Sequence, residues 1–318
     1  MSNEELTSEQ SLAANGKSFH WARRFLGQRM GNDAASLYAF CRLLDDMADG
    51  DIENGPARLA AIRADLIAGR EGADPAFLAF LPLMREKRFP PDVLVALIDG
   101  LLEDQAEEVA LADEAALLRY AYRVAGTVGL LMCHVLDCHA PAARAHAIDL
   151  GIAMQLTNIA RDILEDAGMN RRYVPGDWVG HASPAEIRAA ARAPDSMLAR
   201  DVTAAAGRLL DLAETFYASG ARGYRYLPWR AHLAIGVAAR VYRQIGIQLR
   251  GADLAWHAGR QVTGKAAKLR CSLLALGSFG RRIGIGTSPH DDRLHAALRG
   301  LPYVCLLYTS PSPRDLAV

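Results

Sequence analysis

The chain has 318 residues, 51% of them hydrophobic and only 7% aromatic, with 36 Lys plus Arg balancing 36 Asp plus Glu. That balance leaves no global field to gather nucleic acid or an anionic membrane, so electrostatic recognition has to be local. Five cysteines without a CxxC pair, and a polar amino terminus without a signal-peptide core, lead us to expect a reduced cytoplasmic setting; no stretch reaches the roughly 20 apolar residues that cross a bilayer, which leaves only peripheral membrane contact open.

No Ser/Gly-rich linker, low-complexity tract or repeat divides the chain, and Ala, Leu and Arg dominate its composition, so the expected fold is all-α: a 1–16 tail, then one domain over 17–300. The pattern is helical from Phe19 to about Asp49 with a break near Gly31-Asn32, and then over 56–69, 75–84 and 91–110, with Pro82, Pro90 and Pro91 as breaks. An apolar segment follows over 117–136. A new helix starts at Pro141, runs through Asp166 and stops at Gly168, where a turn-rich connection to Trp178 carries Arg171 and Arg172. Helical patterns resume over 184–191, 195–218, 229–250 and 260–278. The tail 301–318 gains Pro and Ser, and its Cys305-to-Asp315 stretch is similar to a translated sequencing adapter; a disordered tail is the other reading.

Two acidic segments stand out. Tyr38, Arg42, Asp45 and Asp49 share one narrow helical arc, and Gln155, Asn158, Asp162 and Asp166 share another. Carboxylates four apart usually face water, and Glu103/Glu107 and Asp104/Glu108 look like this chain's own solvated controls. The other two stripes are flanked by Leu37, Phe40, Leu43 and Leu44, or by Ile152, Leu156, Ile159 and Ile163. Carboxylates in such surroundings need countercharge from a metal or from Arg42 and Arg161. Facing stripes of this kind make an oxygen-rich site for Mg²⁺, which completes its octahedron with water and phosphate oxygens, and so they point to diphosphate chemistry. Cys133-His134 and Cys138-His139 do not make a zinc site by pattern, because on one helix these pairs scatter around the axis.

The run Gln155-x-x-Asn158-x-x-Arg161-Asp162-x-x-x-Asp166, followed by Arg172-Tyr173-x-Pro175, resembles the second aspartate signature of the squalene/phytoene synthase family. Tyr38 to Asp49 resembles the family's first aspartate motif, and Tyr120 to Gly129 its tyrosine-containing VAGxVG segment. The resemblance runs from about Lys17 to Lys268, with the motifs in the family's order, and it is closest to bacterial carotenoid enzymes. It implies an isoprenoid synthase-type helical bundle with a central cavity. It also implies that Asp45, Asp49, Asp162 and Asp166, helped by Asn158, hold Mg²⁺, with Mn²⁺ as a substitute. Lys17, Ser18, Arg42, Gln155, Asn158, Arg161 and Arg172 would bind the substrate diphosphates, and Tyr120 would stand near the reacting carbons. Arg260 and Lys268 either extend that clamp or face solvent. Gly126, Thr127 and Gly129 would serve shape alone.

The implied reaction is a head-to-head joining of two prenyl diphosphates: two geranylgeranyl diphosphates give phytoene through a cyclopropylcarbinyl diphosphate, without NADPH. The alternatives are squalene or presqualene diphosphate formation from farnesyl diphosphate, a terpene cyclase, and a non-catalytic assembly factor that keeps the fold. Oligomeric state is left open.

Overall fold

A computed structural model describes residues 21–258, 264–277 and 289–304. Lys17, Ser18 and Arg260 lie outside the described residues. The fold is all-α, as expected, with a single two-residue strand pair among the described residues.

The first long helix, α1, spans Gln28–Ala48. The break expected at Gly31-Asn32 falls instead at Gly27, whose φ of 80° starts the helix. Gly31 is there for close approach. Arg23 Nε donates to its carbonyl at 2.7 Å while Arg23 Nη2 reaches Asn32 Oδ1 at 2.8 Å, and a Cβ at Gly31 would press on the Arg23 side chain at 3.3 Å.

Helices α2 (Gly55–Ala68), α3 (Pro75–Lys87) and α4 (Pro91–Glu103) follow. Pro82 does not end α3. It sits on the solvent face, while Phe77, Phe80 and Leu81 bury the opposite flank and hold the helix through it. The helix expected over 91–110 stops at Glu103, and the chain then forms strand β1 (Val109–Ala110), which pairs in parallel with β2 (Arg171–Arg172). This pairing pins the arginine-bearing connection beside the end of α4.

Helices α5 (Glu114–Ala121) and α6 (Thr127–Val135) are joined by one π-helical turn over Tyr122–Gly126. Single π turns recur at functional sites because the extra residue re-aims neighbouring side chains. Helix α7 (Ala143–Gly168) runs through the middle, packed along α9 (Met197–Gly220), α6, the π turn and α10 (Trp229–Gly251). Two glycines set its approach to the π turn and α6: a Cβ on Gly151 would sit 2.3 Å from the Ala125 carbonyl, and one on Gly129 2.2 Å from the Ala147 carbonyl. The shape role expected for Gly129 thus has a specific backbone contact behind it.

The short α8 (Pro184–Ala190) is held by a reciprocal Ser183/Glu186 cap, and α11 (Lys265–Leu276) packs on α10. A final 3₁₀ segment, Asp292–Leu298, lies against α5. Residues 301–304, which the sequence assigns to the tail, continue this packing: Tyr122 Oη donates to the Pro302 carbonyl and Arg144 lies 4.9 Å from the Tyr303 ring centre. The adapter-like stretch from Cys305 lies outside the described residues. No helix among the described residues is long and apolar enough to cross a membrane.

Candidate active site

A cavity of about 790 Å³ runs between α1, α4, α6, α7 and α10. Arg42, Asp45, Asp104, Asn158, Arg161 and Asp162 line its polar end. Leu37, Val128, Met132, Leu150, Met154 and Ile235 line its length, and Cys133, Cys138, Ala143 and His146 line its far end.

Both acidic stripes open on the polar end. From α1, Arg42 bridges Asp45 at 2.7 Å and Asp46 at 2.5 Å. From α7, Arg161 grips Asp162 with two nitrogens, Nε at 2.7 Å from Oδ1. Asp49 and Asp166 stand one turn further out on their helices, and Arg171 lies near both, donating to Asp49 at 2.9 Å. The Asp45 side chain is 42% exposed and lines the cavity. Burial, reinforced by Asp49 and against the pull of Arg42, pushes its carboxyl up to about 6. Burial together with neighbouring Asp162 pushes Asp166 up to about 8. Carboxylates held this way are short of positive charge.

A divalent ion fits that shortage. The carboxamide of Asn158 donates to Gln155 Oε1 at 3.4 Å, while its buried Oδ1 has no hydrogen-bond partner among the described residues. An orphaned carbonyl oxygen beside Asp162 is a hard ligand awaiting a cation. No three carboxylates of the stripes come within 4.8 Å of one another among the described residues. Each ion would therefore take one or two protein oxygens and complete its shell with water and phosphate, as Mg²⁺ prefers.

The structure separates the two adjacent arginines. Arg172, the residue expected to clamp diphosphate, is only 5% exposed, and its Nη1 donates to the Leu111 and Val174 carbonyls at 2.7 and 2.6 Å. It braces the connection and does not reach the cavity. Alternation along β2 turns Arg171 the other way, onto Asp49 and the Asp104 carbonyl. Lys268 of α11 does line the cavity.

Asp104 is the largest departure from the sequence reading, which set it among solvated carboxylates. It is 8% exposed and accepts the hydroxyls of Tyr120 and Tyr173, one on each oxygen, both at 2.8 Å. The two rings stack with centroids 4.5 Å apart. Burial outweighs these hydrogen bonds and raises its carboxyl to about 6, and it drives both phenols upward so that they stay protonated at neutral pH. The sequence carried the signal: Leu97, Leu101 and Asp104 recur at i, i+4, i+7 on the apolar stripe of α4, whereas Glu103 falls off it.

Residues 12–268 match the family described as squalene/phytoene synthase. A 15-cis-phytoene synthase of Paracoccus sp. is 34% identical over 91% of this chain and 99% of its own length. A phytoene synthase of Pseudescherichia vulneris is 36% identical over 84% of this chain and 89% of its own. Among solved structures, a dehydrosqualene synthase in complex with ligand superposes with a TM-score of 0.74 at 25% identity, covering 86% of this chain and 95% of that one.

Proposed function

The chain belongs to the squalene/phytoene synthase family, and we propose that it joins two geranylgeranyl diphosphates head to head to give phytoene. The observation that carries this reading is the convergence of two acidic stripes on one end of a long apolar cavity. Members of the family are prenyltransferases that generally need a divalent metal, and similarity to phytoene synthases over most of the chain favours the twenty-carbon substrate.

Bound Mg²⁺ would neutralise the charge that builds on diphosphate oxygen as the allylic C–O bond breaks. The residues of the chain do the rest. Asp45, Asp49, Asp162, Asp166 and Asn158 would hold the ion and, through it, the diphosphates at the polar end. Arg42, Arg161 and Gln155 line the same end, and Arg171, through its contact with Asp49, would serve the clamping role expected of Arg172. The apolar length between Leu37 and Ile235 holds the prenyl chains and keeps water from the carbocation. Tyr120, on the cavity wall with its hydroxyl fixed by Asp104, presents a neutral, electron-rich ring and oxygen rather than a phenolate that the cation would alkylate. The Tyr120–Asp104 pair accepts the proton whose loss forms the final alkene.

The test is to incubate the protein with Mg²⁺ and geranylgeranyl or farnesyl diphosphate, with and without NADPH, and to identify the extracted hydrocarbon by mass. Phytoene without NADPH is expected. Squalene or presqualene diphosphate from farnesyl diphosphate would replace this reading, and no product from either substrate would return the chain to a non-catalytic role.

A further inference from the structure

At the far end of the cavity a second group of chemistry-bearing side chains lies outside the diphosphate site. His146 and Asp149 are one turn apart on α7, and His290 and His295 come from the carboxyl-terminal segment. Asp149 is wholly buried, His295 is 1% exposed and His146 4% exposed. His290 Nε2 lies 2.9 Å from one Asp149 oxygen and His295 Nε2 2.7 Å from the other. One donor atom each from His146, Asp149 and His290 falls within 4.8 Å of the others. The group stands apart from the acidic stripes, since Asp149 precedes Asp162 by thirteen residues, or about 20 Å along the helix.

Two features of this group are those of a metal centre. The first is a buried imidazole that is only loosely held: His146 Nδ1 lies 3.5 Å from Ser219 Oγ, at the limit of a hydrogen bond. The second is the outer arrangement. His290 Nδ1 is held at 3.1 Å by Asp292, which fixes the ring with Nε2 on the Asp149 side, where an ion would come between the two, and Ser219 and His295 bond the Asp149 carboxylate. Carboxylate–histidine and hydroxyl–carboxylate pairs of this type orient metal ligands.

We propose that His146, Asp149 and His290 bind a divalent transition-metal ion, best matched by Zn²⁺, that staples the carboxyl-terminal segment to α7 at the end of the cavity. Two imidazoles and a carboxylate form a nitrogen-rich donor set that suits Zn²⁺ and not the Mg²⁺ of the acidic stripes. The fourth position falls to the Ser219 hydroxyl or a water. The ion joins α7, which carries the catalytic aspartates, to a segment otherwise fastened by Arg119 to the carbonyls of Ala297 and Arg299, at 3.0 and 3.1 Å, and by Tyr122 to Pro302. His146 also lines the cavity, so the staple fixes part of the wall that faces the ends of the prenyl chains.

The test uses the full chain without a histidine tag. Wild-type protein stripped with chelator is titrated with Zn²⁺ and read by elemental analysis, and with Co²⁺ read by its visible d–d absorption. About one equivalent of either ion per chain, with nitrogen-ligated Co²⁺ bands, is expected. His146→Ala and His290→Ala should each lower the retained metal at least about tenfold, as removal of a ligand does, while Asp162→Asn should retain it in full. Wild-type protein that binds less than about a tenth of an equivalent would overturn the proposal without recourse to any variant. Unchanged binding in both histidine variants, or loss in Asp162→Asn alone, would overturn it as well.

Discussion

Asp104→Asn separates the cost of burying this carboxylate from its value to the site. Its carboxyl rises from an ordinary 3.8 to about 6, even though two tyrosine hydroxyls donate to it. A carboxylate whose folded pKa lies above its unfolded value weakens the fold once ionised. The penalty is small near pH 4, grows as pH rises through the folded value, and is complete above about pH 7. At about 1.36 kcal/mol per pH unit, the difference of about 2.2 units amounts to about 3 kcal/mol at pH 8, roughly half of which develops between pH 5 and pH 8. Asparagine carries no such penalty but satisfies only one tyrosine hydroxyl as donor, at a cost of about 1–2 kcal/mol at every pH. The variant should therefore be about level with wild type at pH 5, and should gain on it toward pH 8. At roughly 2 °C per kcal/mol for a chain of this size, the melting-temperature difference should swing by about 3 °C in the variant's favour. Circular dichroism melts of metal-free protein at a series of pH values measure this, and turnover at pH 8 should fall at least about tenfold because Tyr120 loses its fixed acceptor. A melting-temperature difference that stays constant from pH 5 to pH 8 would refute the reasoning.

Arg171→Met should raise the KM for prenyl diphosphate and leave the melting temperature within about 1 °C, whereas Arg172→Met should cost about 1–3 kcal/mol by stranding the Val174 carbonyl and leaving the Leu111 carbonyl to the Gly176 N–H alone; the reverse pattern in kinetics and melts would exchange their roles. Gly151→Ala forces a methyl to 2.3 Å from the Ala125 carbonyl and should destabilise by about 1–3 kcal/mol in denaturant titrations while narrowing the cavity; an unchanged midpoint would mean that the π turn yields freely. Truncation after Val304 should leave the melting temperature alone, but truncation after Gly300 should lower it, because Pro302 accepts from Tyr122 and Tyr303 meets Arg144.

Local periodicity by itself determined a good deal of this protein. The apolar stripes of α1 and α7, and the four aspartates set one turn apart on them, are properties of 3.6-residue spacing, so the all-α class and the two acidic stripes are present in the residue order before any helix packs. The motifs around Asp45, Tyr120 and Asp162 likewise carry the family, since each is a short contiguous run of residues. Tertiary structure decided what depends on neighbours distant in the chain. Arg171 and Arg172 are chemically alike and adjacent, and only the pairing of β2 with β1, sixty residues away, turns one to the site and the other into the brace. Asp104 reads as one more acid after Leu101 until Tyr120 and Tyr173 close over it. His146 and Asp149 pass for an ordinary helical pair until a segment more than a hundred residues later delivers His290 and His295. In each case the side chain's identity is local, but its burial and its partners are set by which elements the fold brings against it, and those determine its charge state and its chemistry.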